Sequence, residues 1–417
     1  MTQQSAGARI IDAGTDRFDG AGRPPTRPSA GVERPIGPWA FTGIAVTSFG
    51  GPLALAALMA PGLIAGSAAH SAGLEMLAAV VVFAVPVVIW LRYSKYVSGS
   101  GGLFAFVEAA AGRRVALVQG AIWTFSYALY VVYTTVQIVY DLLPAIFPGE
   151  RRYETLLALA IPVAITAVMV AGRAATLIVL GVMAAGQLAL AGALDGVTLA
   201  HLSTPASTFG AGAPAGPLTT ATAQTSLLYI CGSLPLFFGG ELARPARTIR
   251  RGLIGAYALT ALVVVLAVAP LAAVPGLAGT EVPGVSIAQQ FSGRTLADAI
   301  GIGVAVSTAG VILCEYFALT RLLSAIGSWR IRPITLAIGA VVVLAAPFSL
   351  IDPDGFYNTL LKPSLIALWV SQLIVFAVYP LFARKHGHRA LPAWALSLAA
   401  SALALYGLWT TLHQAAS

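Results

Sequence analysis

Charge is scarce in this chain: Asp, Glu, Lys and Arg make up only 10% of its 417 residues. A water-facing globule of this length carries about a quarter charged residues, so a soluble fold is excluded. Cysteine is nearly absent too. Cys231 and Cys314 both sit inside apolar runs and read as free buried thiols, not as a disulfide framework. Histidine is rare: His70, His201, His386, His388 and His413 fall in loops or at the ends of apolar runs. No HExxH, no pair of aspartate-rich motifs and no Ser/His pairing at mid-depth is present, and SGSGG (98–102) lies at the edge of a span. No enzyme, metal site or cofactor is therefore expected. The short alternating segments of a transmembrane β-barrel are missing as well.

What the chain has is apolar length. Hydrophobic residues make up 58% and the mean hydropathy is +0.84. They come in runs of about 20, enough to cross a hydrocarbon core of about 30 Å. There every backbone polar group needs an internal partner, so the runs must be helices. Eleven spans are predicted, near 38–64, 71–95, 115–140, 155–172, 174–194, 224–247, 251–274, 296–324, 332–350, 357–383 and 391–413. Residues 101–113 read as a short amphipathic helix at the membrane interface. Residues 1–37, rich in Gly, Pro, Arg and Asp and without an apolar core, read as a disordered cytoplasmic tail and not as a signal peptide.

Orientation follows from the basic residues. With the N-terminus inside and every span crossing, 20 of the 24 Lys and Arg fall on the inner side; only Arg151, Arg152, Arg294 and Lys362 fall outside. The expected location is the cytoplasmic membrane, multi-pass, with the N-terminus in the cytoplasm. The net charge of +8 is spread over many short loops. It fits a lipid bilayer as partner, not a nucleic acid.

Two spans are interrupted. In the first, Ser48, Phe49, Gly50, Gly51 and Pro52 stand mid-span; Pro52 frees the carbonyl of Ser48, and the paired glycines allow a break. In the sixth, Gly232, Pro235, Gly239 and Gly240 do the same, and Pro235 frees the carbonyl of Cys231. The two breaks lie five spans apart, and an odd repeat length makes the halves inverted. Interrupted spans at corresponding positions point to an inverted-repeat transporter, here with repeats near 38–194 and 224–383 and an extra span at 391–413. The second half-helices are expected to start at the midplane near Gly51 and Gly239, their positive ends facing an anionic group. The first half-helices would offer carbonyls to an ammonium or a cation. Ordinary kinking or close packing is the alternative for such Gly and Pro.

SGSGGLFAFVEAAAGRR (98–114), SYALYVVY (126–133) and GELARPARTIRRGL (240–253) resemble segments of amino acid permeases of the amino acid–polyamine–organocation superfamily. In that family they follow span two, form span three and follow span six. The resemblance covers about residues 38–383. This chain departs at the first break, Ser-Phe-Gly-Gly-Pro where the family commonly has Gly-Ser-Gly or Gly-Ala-Gly. It also has Ser233 and Leu234 where an aromatic-acid pair is frequent. The resemblance implies a leucine-transporter-type 5+5 fold with alternating access around spans one, three, six and eight.

The expected substrate is a small molecule, an amino acid or amine, at Ser48, Phe49, Gly50, Gly51, Tyr130, Cys231, Gly232, Ser233, Leu234 and Phe237. Amides near Gly50 and Gly51 would hold a carboxylate, carbonyls of Cys231–Leu234 an ammonium, and Phe49, Tyr130 and Phe237 would line a pocket. Tyr130, Tyr133, Gln137 and Tyr140 share one face of span three; packing or interfacial tyrosines are the alternative. Glu315, deep in span eight, reads either as a structural acid or as the site of the coupling proton or Na+. Glu241, near Arg244 at the cytoplasmic end, reads as an ion pair or gate. Ser307 and Thr308 either serve a cation or bond their own helix. A channel is the rival reading, disfavoured by one long chain with an internal repeat.

Overall fold

The computed structural model describes residues 35–59, 71–143, 153–201, 209–210, 214–271, 280 and 282–413. Residues 1–34, nearly all of the expected tail, lie outside the described residues. Among those described, all regular structure is helical; the single β-type contact is an isolated bridge between Ile36 and Leu242.

Among the described residues, ten helices are long and apolar enough to cross a membrane, and an eleventh apolar helix has 17 residues. They match the eleven expected positions one for one. Spans one to three are Pro38–Leu58, Ala72–Ser94 and Arg113–Tyr140; span four is the short Glu154–Val170; span five is Arg173–Ala200. Spans six to eight are Leu218–Glu241, Pro245–Leu266 and Arg294–Gly327; spans nine to eleven are Ile331–Leu350, Pro353–Lys385 and Ala390–His413. Val81, Leu156, Ile178, Leu344 and Leu398 are each more than 60% exposed around the outside. So wide an apolar exterior is untenable in water and natural against lipid. Spans one and six are the most enclosed, as befits the centre of a bundle.

Cations gather on one face. Arg92 Nη1 donates to Tyr379 Oη (3.1 Å), Arg113 Nη2 to the Ile326 carbonyl (3.1 Å), and Lys385 Nζ to the carbonyls of Ala109 and Ala110 (3.0 and 2.8 Å). Nearby, burial and then the cations Arg92 and Lys95 hold His388 below the ordinary histidine range. These contacts tie the ends of spans two, three, eight and ten together, and we call this side the basic face.

The short helix before span three is present as Leu103–Ala111, but it does not use lipid as expected of an interfacial helix. Leu103, Phe104, Phe106, Val107 and Ala110 are buried against protein, and Phe106 stacks on Tyr93 with centroids 4.8 Å apart. The apolar stripe read from the sequence is real; its partner is the bundle.

Candidate functional site

Span one stops being helical at Ser48 and restarts at Pro52. Gly50 and Gly51 have φ of +86° and +69°, a region where a side chain is strained. The Gly51 amide donates to Thr47 O (3.0 Å), whereas the Gly50 amide has no acceptor among the described residues. The break thus presents a free N–H at Gly50 alone, where the sequence predicted free amides at both Gly50 and Gly51.

Span six breaks differently. An α-helix runs to Leu227, and Ile230–Glu241 then winds as a 3₁₀ helix. The expected second α-helix starting near Gly239 is not formed. Pro235 cannot donate the i→i−4 bond. The tighter winding also rises about 2.0 Å per residue against 1.5 Å, so it reaches the basic face with fewer residues. None of Gly232, Gly239 and Gly240 has positive φ; they serve close approach. A Cβ on Gly232 would lie 2.1 Å from the Phe49 ring, and one on Gly239 would lie 2.7 Å from Ser98 O. A Cβ on Gly50 would come 3.1 Å from Leu228 O. The two breaks therefore face each other.

Beside them lies a cavity of about 270 Å³ whose walls include Gly50, Tyr130, Thr134, Cys231, Thr308 and Trp369. Gln224, Thr410 and Thr411 line its far end. They belong to the halves of spans six and eleven remote from Glu241 and Arg389, so the cavity extends away from the basic face. Of the expected substrate residues, Gly50, Tyr130 and Cys231 line it. Ser48, Phe49, Gly51, Gly232, Ser233, Leu234 and Phe237 are buried outside its walls. Phe49 packs on Tyr257 (5.3 Å), and Phe237 on Trp123 (4.5 Å). A larger cleft, about 710 Å³ between spans three, four, five and eight, is lined almost wholly by aliphatic residues. It has no broken-helix backbone and opens where lipid would lie.

Glu315 is completely buried directly behind Cys231, whose Sγ is 3.7 Å from Glu315 Oε1. Glu315 Oε2 has no partner among the described residues, and neither does Gln372 Oε1. Gln372 Nε2 lies 3.4 Å from Ser233 Oγ. Buried polar atoms without partners are exceptional, and these two flank the broken part of span six.

Thr308 donates to Val304 O of its own helix (3.1 Å). Ser307 does not: its Oγ donates to Gln187 Oε1 (2.7 Å), and Gln187 Nε2 donates to Thr47 Oγ1 (3.1 Å). Gln187, which the sequence did not single out, thus links spans one, five and eight beside the break. Two further buried acids were missed. Glu75 in span two accepts from Thr225 Oγ1 (2.9 Å) with Oε2 unpartnered, and Asp195 in span five has Oδ1 unpartnered. Both lie near expected span ends, where an acid attracts no notice; only the packing shows that they are enclosed.

On the basic side the route is closed. Glu241 accepts from Arg321 Nε (2.8 Å) and Arg173 Nη1 (3.2 Å), not from the sequence neighbour Arg244. The Arg321 guanidinium lies 3.7 Å over the Phe317 ring, and Phe317 packs on Phe238 (4.7 Å). The Ile36 amide donates to Glu241 O (2.9 Å), so residue 36 is fastened rather than loose. Spans five, six and eight meet at this one carboxylate, and the start of span one is fastened to the backbone carbonyl of the same residue.

No protein-family model matches the sequence, and no curated protein matches it. Solved structures do resemble the fold. A Na+-coupled sialic acid symporter in a substrate-bound outward-open state aligns over 90% of each chain at 11% identity, with a TM-score of 0.60. MhsT in complex with L-phenylalanine aligns over 91% of this chain and 99% of its own at 14% identity and 0.61. An Eremococcus coleocola manganese transporter aligns over 92% and 90% at 10% identity and 0.59. The fold is of the leucine-transporter type. A 5+5 inverted repeat with one further helix, and a multi-pass membrane protein, are thereby established for the chain. At these identities the likeness is one of fold alone.

Proposed function

We propose that this protein is a secondary active transporter. It moves amino acids or related small amines across the cytoplasmic membrane by alternating access, as a relative of the amino acid–polyamine–organocation permeases. The observation that carries the reading is the cavity beside the two facing breaks, open away from the basic face and closed toward it by Glu241, Arg173 and Arg321. A carrier needs a central site with one side shut; a channel needs a continuous path.

The site suits a zwitterion. The free Gly50 amide at a half-helix start favours a carboxylate. The Cys231 backbone stands across the cavity to favour an ammonium, and Tyr130, Thr134 and Trp369 bound the remaining space. Glu315 is the acid nearest the cavity, and a proton there serves as the coupling ion. In this reading the cations of the basic face lie in the cytoplasm, and the repeats correspond to 38–194 and 224–383.

Reconstitution tests it. Proteoliposomes loaded with unlabelled solute are given labelled amino acids, amines and, as outgroup, nucleobases. Saturable uptake with counterflow of at least one amino acid or amine is the expected result. Non-saturating flux, or counterflow of nucleobases alone, contradicts the proposal.

A further inference from the structure

A second cavity, about 680 Å³, opens on the basic face between the start of span one and the start of span seven. Pro38, Trp39 and Thr42 form one wall; Arg244, Arg247 and Arg251 form the other. Arg247 and Arg251 are four residues apart on the helix. Arg244 stands one turn earlier, where its carbonyl accepts from the Thr248 amide (2.9 Å). Three guanidinium groups therefore border one hollow.

Among the described residues they lack a counter-charge. Arg113, Arg173, Arg294 and Arg321 each have a carboxylate partner; among the described residues Arg244, Arg247 and Arg251 have none. Cations held this close repel one another, so an anion here gains from all three. The amino-terminal end of span seven adds a positive partial charge to the same place.

Trp39 fixes the level. It is 88% exposed, and an indole turned out of a membrane protein belongs at the headgroup boundary. Pro35 and Pro38 extend the apolar part of the wall. An anionic group that also has hydrocarbon matches a hollow that is basic on one side and apolar on the other. A free inorganic anion uses only half of it.

We propose that this cavity binds the headgroup of an anionic phospholipid from the leaflet at the basic face. The three arginines take the phosphate, and Trp39 lies along the upper acyl chain. The two walls are the segments already joined by the Ile36–Leu242 bridge next to Glu241. A bound lipid therefore ties the start of span one to the link between spans six and seven. The binding claim stands whether or not the transport proposal does.

Native mass spectrometry of the full chain in detergent tests it, with phosphatidylglycerol and phosphatidylcholine of identical acyl chains as probes. The parent should retain phosphatidylglycerol preferentially. R244Q/R247Q/R251Q should lower that retention about tenfold or more and leave phosphatidylcholine adducts unchanged, which also reports an intact fold. R330Q/R384Q/R389Q, which removes as many charges elsewhere on the basic face, should behave as the parent. Inorganic phosphate should not displace the lipid. Four results would each overturn the proposal: no preferential adduct in the full-length parent, equal retention in the cavity variant, equal loss in both triple variants, or displacement by inorganic phosphate.

Discussion

At Gly51 a single methyl group has nowhere to go. Its Cβ would lie 2.2 Å from Ser307 Oγ and 3.1 Å from Gln187 Oε1, on a backbone with φ +69°. Strained backbone of this kind costs about 1–3 kcal/mol, and the overlap adds to it. Gly51→Ala should therefore lower the thermal unfolding midpoint in detergent. Adding Ser307→Ala removes the oxygen in the way and should recover part of the loss; strictly additive losses would contradict the packing. The sequence marked Gly51 through its Gly-Gly-Pro context and suggested a substrate contact. That its neighbours are Ser307 and Gln187 depends on residues more than 130 positions away, which no local pattern encodes. Glu315 was more legible, because an acid deep in an apolar run is costly wherever it points. Its unpartnered Oε2 and its place behind Cys231 lead to a specific outcome. Glu315→Gln fixes the neutral form, so it should abolish pH-gradient-driven accumulation and leave counterflow intact. Unchanged accumulation would make Glu315 a structural acid.

Between elements, the decisive contact is the one at Glu241. Pro235 and the flanking glycines made the interruption of span six readable, but not its 3₁₀ form, which depends on how far the chain must reach to Glu241. The pairing with Arg244 that sequence proximity suggests is not formed, because proximity does not decide ion pairs at a helix junction. The span eight arginine Arg321 and the span five arginine Arg173 reach the same carboxylate from opposite sides. Arg321 is buried and Glu241 and Arg173 are partly buried, so removing one partner costs less than the about 3–5 kcal/mol of a fully enclosed pair. Glu241→Gln leaves two arginines without their carboxylate, whereas Arg321→Gln leaves Glu241 with Arg173. Amide hydrogen exchange across 230–241 should therefore quicken in both variants and more in Glu241→Gln. Unchanged exchange in both would mean that the pair does not hold the closure.

For the molecule as a whole, the number and order of spans came from apolar length alone, since lipid leaves a backbone few choices. The uneven distribution of Lys and Arg fixed the parity, and the structure gathers Arg92, Arg113, Arg173, Arg321 and Lys385 on one face. Which side of the central site is open was not legible, because it depends on side chains from six spans meeting. The two native cysteines report on it. Cys231 lines the cavity, while Cys314 is enclosed with its thiol 3.9 Å from Ile44 O. In oriented proteoliposomes, a membrane-impermeant methanethiosulfonate reagent is applied to one face at a time, with Cys231→Ser as control. Alternating access exposes Cys231 to one face at a time, so labelling in the parent should be faster from the face opposite the basic one, and Glu241→Gln should raise the rate from the basic face while lowering it from the opposite face. Rates from the two faces that rise together in Glu241→Gln would reveal a continuous path and contradict the carrier.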